Sequence, residues 1–174
     1  IKREALCNIT GRSRKPQFAM AEEFGFTDFA QPAGGCCFLT DKYYSAKLVD
    51  LWQAHGHKDY ELDDIMLLKV GRHLRPKPHF KLIISREEGE GRFMKGYRHE
   101  FMSIQAKGLK GSLALVDGSP VADDLPLIAS IVARYGQGKN EALVTLVLTQ
   151  KDGSTQEVTV KPFDDDAQLA AWQV

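Results

Sequence analysis

Residues 70–85 read VGRHLRPKPHFKLIIS, and the folding of this stretch decides the rest of the chain. The last six, FKLIIS at 80–85, form a short apolar run bounded by turn residues, which is the pattern of a buried strand. Pro76 and Pro78 remove backbone donors and predict a break in regular structure just before it. The stretch therefore predicts a hairpin-like pair, with Arg72, His73 and Arg75 on or near its turn.

Downstream, the pattern predicts a short helix over 86–97, weakened by Gly89 and Gly91, then strands near 101–106 and 112–116. Asp123 or Asp124 caps the best helix of the chain, with Pro126 in its first turn and Gly136 as its stop. Leu127, Ile128, Ile131 and Val132 form its apolar stripe. Strands over 142–148 and 155–160 are joined by Lys151-Asp-Gly-Ser154, a hairpin signal. Residues 163–174 are either a last helix or a disordered end.

Upstream, 63–69 reads as a short helical or extended stretch. Thr40 or Asp41 caps a helix that runs to His55 and stops at Gly56, with Tyr44, Leu48, Leu51 and Trp52 on one face. Ser13, Pro16 and Gly25 frame a first helix. No regular βαβ alternation runs through these elements. The expected fold is α+β: a mixed, mainly antiparallel sheet packed with helices, preceded by an N-terminal helical junction.

Composition narrows the functional class. No apolar run approaches the ~18 residues of a membrane span, and no basic-then-apolar leader is visible. Three cysteines, two of them adjacent, do not make a disulfide framework, so a cytoplasmic location with no membrane partner is expected. The chain begins at Ile1 rather than Met, which makes a fragment of a longer protein the expectation. Net charge is zero, yet residues 64–110 carry eleven Lys and Arg against five acids, while 111–174 carry four against nine. A basic middle of this kind attracts a polyanion through its local field even in a neutral chain.

Two constellations stand out chemically. Lys69-Val-Gly-Arg-His-Leu-Arg75 places three cations and a histidine around one glycine, which suits a phosphate backbone, although a solvated basic face has the same composition. Residues 31–37, QPAGGCC, present Cys36 and Cys37 on a glycine loop ahead of a helix, where backbone N–H groups favour a thiolate. Buried apolar packing is the competing use of such thiols. Arg12, Arg14 and Lys15 crowd the start of the first helix against its dipole, an arrangement that an anion held there would explain. No metal site is expected: there is no C-x-x-C or H-x-x-x-H spacing, and adjacent cysteines are poor joint ligands.

Several segments together resemble a known family: GRSRKPQFAMAEEFG (11–25), PAGGCCFLTD (32–41), YSAKLVDL (44–51), LLKVGRHLR (67–75) and FKLIISREEGEGRF (80–93). They look like the C-terminal part of bacterial proteins related to tRNA thiolation enzymes. Those proteins carry a PP-loop ATP pyrophosphatase domain similar to 2-thiouridylase and 4-thiouridine synthase, followed by a variant of the RNA-binding domain of NFACT-type proteins. The resemblance covers most of the chain; beyond Leu115 it is one of pattern.

The resemblance implies a division into a junction at 1–35, an NFACT-R-like α+β domain at 36–161 and a tail at 162–174. The function implied is that of a tRNA-binding module, with Lys69, Arg72, His73, Arg75 and Arg86 facing tRNA phosphates. Arg12, Arg14 and Lys15 would reach the tRNA or the nucleotide domain. ATP and Mg would belong to a catalytic half upstream of Ile1, and this part would hold no cofactor. The parent would be an ATP-dependent tRNA sulfurtransferase, this part alone not being catalytic. Cys36 stands at the glycine-loop cysteine position, so the alternative is that it relays sulfur from a sulfur-donor protein. A protein-docking role is a further alternative. One departure is Glu87-Glu88-Gly-Glu90-Gly, where related domains usually carry asparagines.

Overall fold

The computed structural model describes Cys7, Ile9 and residues 13–28, 38 and 41–174. The chain divides into two compact units, Ile1–Cys36 and Cys37–Val174. In the first, α1 (Lys15–Glu23) has a proline in its first turn, buries no residue, and is followed by Gly25 at φ 69°.

The second unit is built on a six-stranded sheet whose pairings are all antiparallel. Its strands are β1 (Arg72–Lys77), β2 (Phe80–Ile84), β3 (Met102–Ala106), β4 (Ala114–Gly118), β5 (Val144–Thr149) and β6 (Thr155–Val160), in the order β1-β2-β4-β3-β5-β6. The helices of this unit are α2 (Lys42–His55), α3 (Leu62–Leu67), α4 (Glu88–Met94), α5 (Leu125–Arg134) and α6 (Asp166–Trp172). With α1, these make the chain an α+β protein among the described residues.

Strand alternation sorts the side chains into two cores. Leu74, Phe80, Leu82, Ile84, Ile104 and Val116 point to one face, where Ile128, Ile131 and Val132 of α5 and Leu169 of α6 close over them. Ile128 and Ile131 are fully buried, and each is worth about 1.5–3 kcal/mol of apolar transfer. On the other face, Ile83, Leu113 and Leu115 pack against Met94 and Leu67. A third cluster joins Tyr44, Leu48 and Leu51 of α2 to Leu68. β2 lies between the two covered faces, which is why it reads as an unbroken apolar run around one lysine.

The helix ends follow local chemistry. Asp41 caps α2 by accepting from the backbone N–H of Tyr43 and Tyr44, and Gly56 ends it at φ 74°. Asp124 is buried at the start of α5 and accepts from Lys77 Nζ at 2.5 Å, His79 Nε2 at 2.7 Å and the Val121 N–H at 2.9 Å. Lys77 first, then His79 and the Val121 amide, hold this carboxyl well below the usual range. The contact ties α5 to the β1–β2 turn.

The hairpin differs from expectation in one respect. Arg72, His73 and Arg75 lie within β1, and the turn falls at Pro78 and His79. Pro76 sits inside β1 because β1 is an edge strand, where a missing N–H costs no ladder bond; the register shifts between Leu74 and Lys77. The C-terminus covers part of that edge, with Leu74 bridged to Gln173 and the Val174 N–H donating to the His73 carbonyl.

Candidate nucleic-acid interface

The polar residues expected to meet phosphate separate once β1 is formed. Alternation sends His73 and Arg75 inward beneath α2, while Arg72 points to the opposite face. His73 is 1% exposed, and its Nε2 donates to the carbonyls of Leu67 (3.2 Å) and Val70 (3.0 Å). Burial, with the charges of Lys47 and Lys81, pushes its pKa well below 6.5, so the ring is neutral. This corrects the expectation for His73: a buried, neutral imidazole spent on backbone carbonyls offers nothing to a phosphate.

Arg75 is engaged in the same layer. Its Nε and Nη2 reach the two oxygens of Asp50 at 2.5 and 2.7 Å, and its Nη1 donates to the Pro78 carbonyl. The ammonium of Lys81, 1% exposed, lies 3.5 Å from Asp50 and 3.2 Å from Asp117. Burial alone would raise the Asp50 pKa; the Arg75 hydrogen bonds and the Lys81 charge overcome it and lower the value. Lys47 donates to the carbonyls of Leu68 and Gly71, and burial lowers its pKa. These charges fasten α2 to the sheet.

The remaining candidates stay nearer the surface. Lys69 Nζ lies 4.8 Å from the Phe38 ring centroid and 3.5 Å from Met66 Sδ. The Arg72 guanidinium lies 5.1 Å from the centre of the Tyr135 ring. Arg86 is bonded to Glu90 through Nε and Nη2. Lys15 opens α1 in the first unit, where the Arg14 guanidinium lies 4.9 Å from the Phe18 ring centroid. Arg12 and Cys36 lie outside the described residues.

A groove of about 780 Å³ gathers cations that no single motif held together. Four cations, Arg86, Arg92, Lys95 and Lys110, line it against two carboxylates, Glu87 and Glu88. The wall made by α4 and the residues flanking it carries three of those cations and both carboxylates. The facing wall joins the 107–112 loop to the end of α5 through the Gln137 N–H on the Lys110 carbonyl and the Ser112 hydroxyl on the Tyr135 carbonyl. Two glycines allow that junction: a Cβ on Gly136 would sit 3.2 Å from the Gly111 Cα. Ser85 and Leu113 form the floor, where the Leu113 N–H donates to Ser85 Oγ at 2.9 Å.

The groove cations are not equivalent. Arg86 and Arg92 pair with acids one helical turn away, Glu90 and Glu88. Burial would raise the Glu90 pKa, but hydrogen bonds from Arg86, its backbone N–H and the Gly71 N–H bring it to about 2. Lys95 and Lys110 have no acid partner among the described residues, and both are exposed. They present uncompensated charge. The basic excess over 64–110 included Arg92, Lys95 and Lys110, but nothing local marked them as neighbours of Tyr135 and Gln137.

A second hollow of about 610 Å³ lies at the opposite end of the sheet, floored by Met102, Val116 and Leu125, with Lys151 and Asp152 at its rim. Among the described residues, no group of three His, Cys, Asp or Glu side chains is placed to hold a metal ion. No described helix is long and apolar enough to cross a membrane.

Comparison with known proteins bears on this groove. The family described as NFACT protein RNA binding domain matches residues 71–173, a span that contains every groove residue. Among solved structures, the C-terminal part of the fibronectin/fibrinogen-binding protein from Streptococcus suis is similar in fold, with a TM-score of 0.51 at 11% identity. The likeness covers 60% of this chain and 49% of that one, so the chain spans about half the length of that structure. No curated protein sequence matches the chain.

Proposed function

We propose that this chain, which belongs to the NFACT RNA-binding domain family, holds RNA phosphates in the groove between α4 and the end of α5. The observation that carries this reading is the pair Lys95 and Lys110, two exposed ammonium groups without acid partners among the described residues, set in a concave site inside the family-matched span. Phosphate contacts of this kind position an RNA without reading its sequence.

The finer reading is that the RNA is tRNA and that the chain is the binding module of a tRNA-thiolation enzyme whose ATP-dependent half is a separate domain. Its support is the resemblance of the segments between 11 and 93 to such proteins. The test is titration of fluorescent tRNA at low and high salt. Binding that weakens steeply with salt is expected; no binding, or binding indifferent to salt, refutes the groove reading. Preference for tRNA over an unrelated RNA of equal length tests the finer reading separately.

A further inference from the structure

We propose that the groove takes an unpaired nucleotide of a single-stranded RNA segment, in preference to a duplex; this rests on the RNA-binding reading above. The two walls differ in chemistry. The α4 wall is ionic, carrying Arg86, Arg92 and Lys95 with Glu87 and Glu88, whereas the facing wall is made by Tyr135, Gln137 and Leu109 beside one lysine. A nucleotide has the same division, with a charged phosphodiester on one side and a flat base with hydrogen-bonding edges on the other. A volume of about 780 Å³ lies within the range of roughly 300–1,000 Å³ for sites that enclose a small organic ligand.

The aromatic element is already in place. Tyr135 lines the groove, with the Arg72 guanidinium 5.1 Å from the centre of its ring, and aromatic rings serve as stacking platforms for unstacked bases. Gln137 is exposed beside it, with its side-chain amide unengaged among the described residues, and so is free to meet a base edge. An A-form duplex fits this arrangement poorly. It exposes phosphates and ribose hydroxyls over a wide, shallow surface and keeps its base faces stacked, so the wall bearing Tyr135 would gain no base contact.

The experiment compares the full chain's affinity for an unstructured RNA oligonucleotide with that for the blunt duplex formed with its complement, by fluorescence anisotropy at one salt concentration. The single strand is expected to bind about tenfold tighter or more. Tyr135→Leu is expected to weaken single-strand binding by about five- to a hundredfold with no change in salt dependence, and Tyr135→Phe to restore it. Tyr135 also packs against the core, so Gln137→Ala, at an exposed position, provides a second reading. It should weaken the single strand and leave the duplex unaffected. Equal or tighter binding of the duplex, or equal losses on both RNAs in the Tyr135→Leu and Gln137→Ala variants, overturns the inference while leaving the RNA reading standing. Failure of both RNAs to bind overturns the two together.

Discussion

Replacing Lys95 and Lys110 together by glutamine removes the two groove cations that have no acid partner among the described residues. If all four lining cations engage one phosphate each on single-stranded RNA, log affinity falls against log salt with a slope of about −0.7 × 4, or about −2.8. Affinity then drops about 50-fold between 50 and 200 mM salt, and the double variant, with a slope of about −1.4, loses only about sevenfold. If Arg86 and Arg92 stay with their glutamates, both slopes shrink equally and the difference of about 1.4 remains. Taken against a common affinity at 1 M salt, the double variant binds about 25-fold more weakly at 100 mM. Both lysines are exposed, so stability should change by no more than about 0.5 kcal/mol. The assay is fluorescence anisotropy across a salt series, with Arg75→Gln as control, because Arg75 is bound to Asp50 away from the groove. A slope change below about half a unit, or an equal change in Arg75→Gln, would refute the assignment of the groove.

Gly71→Ala should cost about 2–4 kcal/mol in urea denaturation, since the residue sits at φ 71° and a Cβ there would lie 2.9 Å from the Ile84 carbonyl oxygen; an unchanged midpoint would show that the backbone yields. Lys81→Met, which removes the buried cation between Asp50 and Asp117, should destabilise by about 3 kcal/mol, and a neutral or stabilised variant would mean that Arg75 alone satisfies Asp50. Glu90 has a pKa of about 2 in the fold against 4.5 ordinarily, so its contribution is complete above 4.5 and lost as pH falls toward 2. Glu90→Gln should flatten the acid limb of the stability–pH curve in that window, as urea midpoints at several pH values will show. His73 is kept neutral, so its stability is complete above 6.5 and declines as pH drops below that. His73→Gln should remove the stability loss that sets in as pH falls below 6.5, and a wild-type curve already flat there would contradict the buried neutral ring.

Much of the fold was legible because its signals are local. Asp41 and Gly56 bound α2 as a cap and a stop, and the apolar spacing of Ile128, Ile131 and Val132 marked the buried stripe of α5. Pro76 misled because a proline's missing donor disrupts a strand only where a neighbour needs it, and an edge position is settled by strand order. The 69–75 motif divides for a related reason. Its cations and histidine are adjacent in sequence, but a strand turns neighbours to opposite faces, so His73 and Arg75 go beneath α2 while Arg72 goes to Tyr135. The groove itself was legible only as the basic excess of 64–110, since Lys95, Lys110, Tyr135 and Gln137 come from separate segments.

By itself, then, the sequence determined the α+β class, most helix ends, the apolar run of β2 and the presence of surplus positive charge in the middle of the chain. Caps, glycine stops and apolar periodicity act within a few residues, so they are written in the order of the chain. Which cations are consumed inside and which remain outside was decided only by tertiary structure. Lys81 and Arg75 are neutralised by Asp50 and Asp117 from distant elements, whereas Lys95 and Lys110 meet no acid among the described residues and face one groove. Charge on a side chain is a property of the residue; its availability to a phosphate depends on what the fold places beside it.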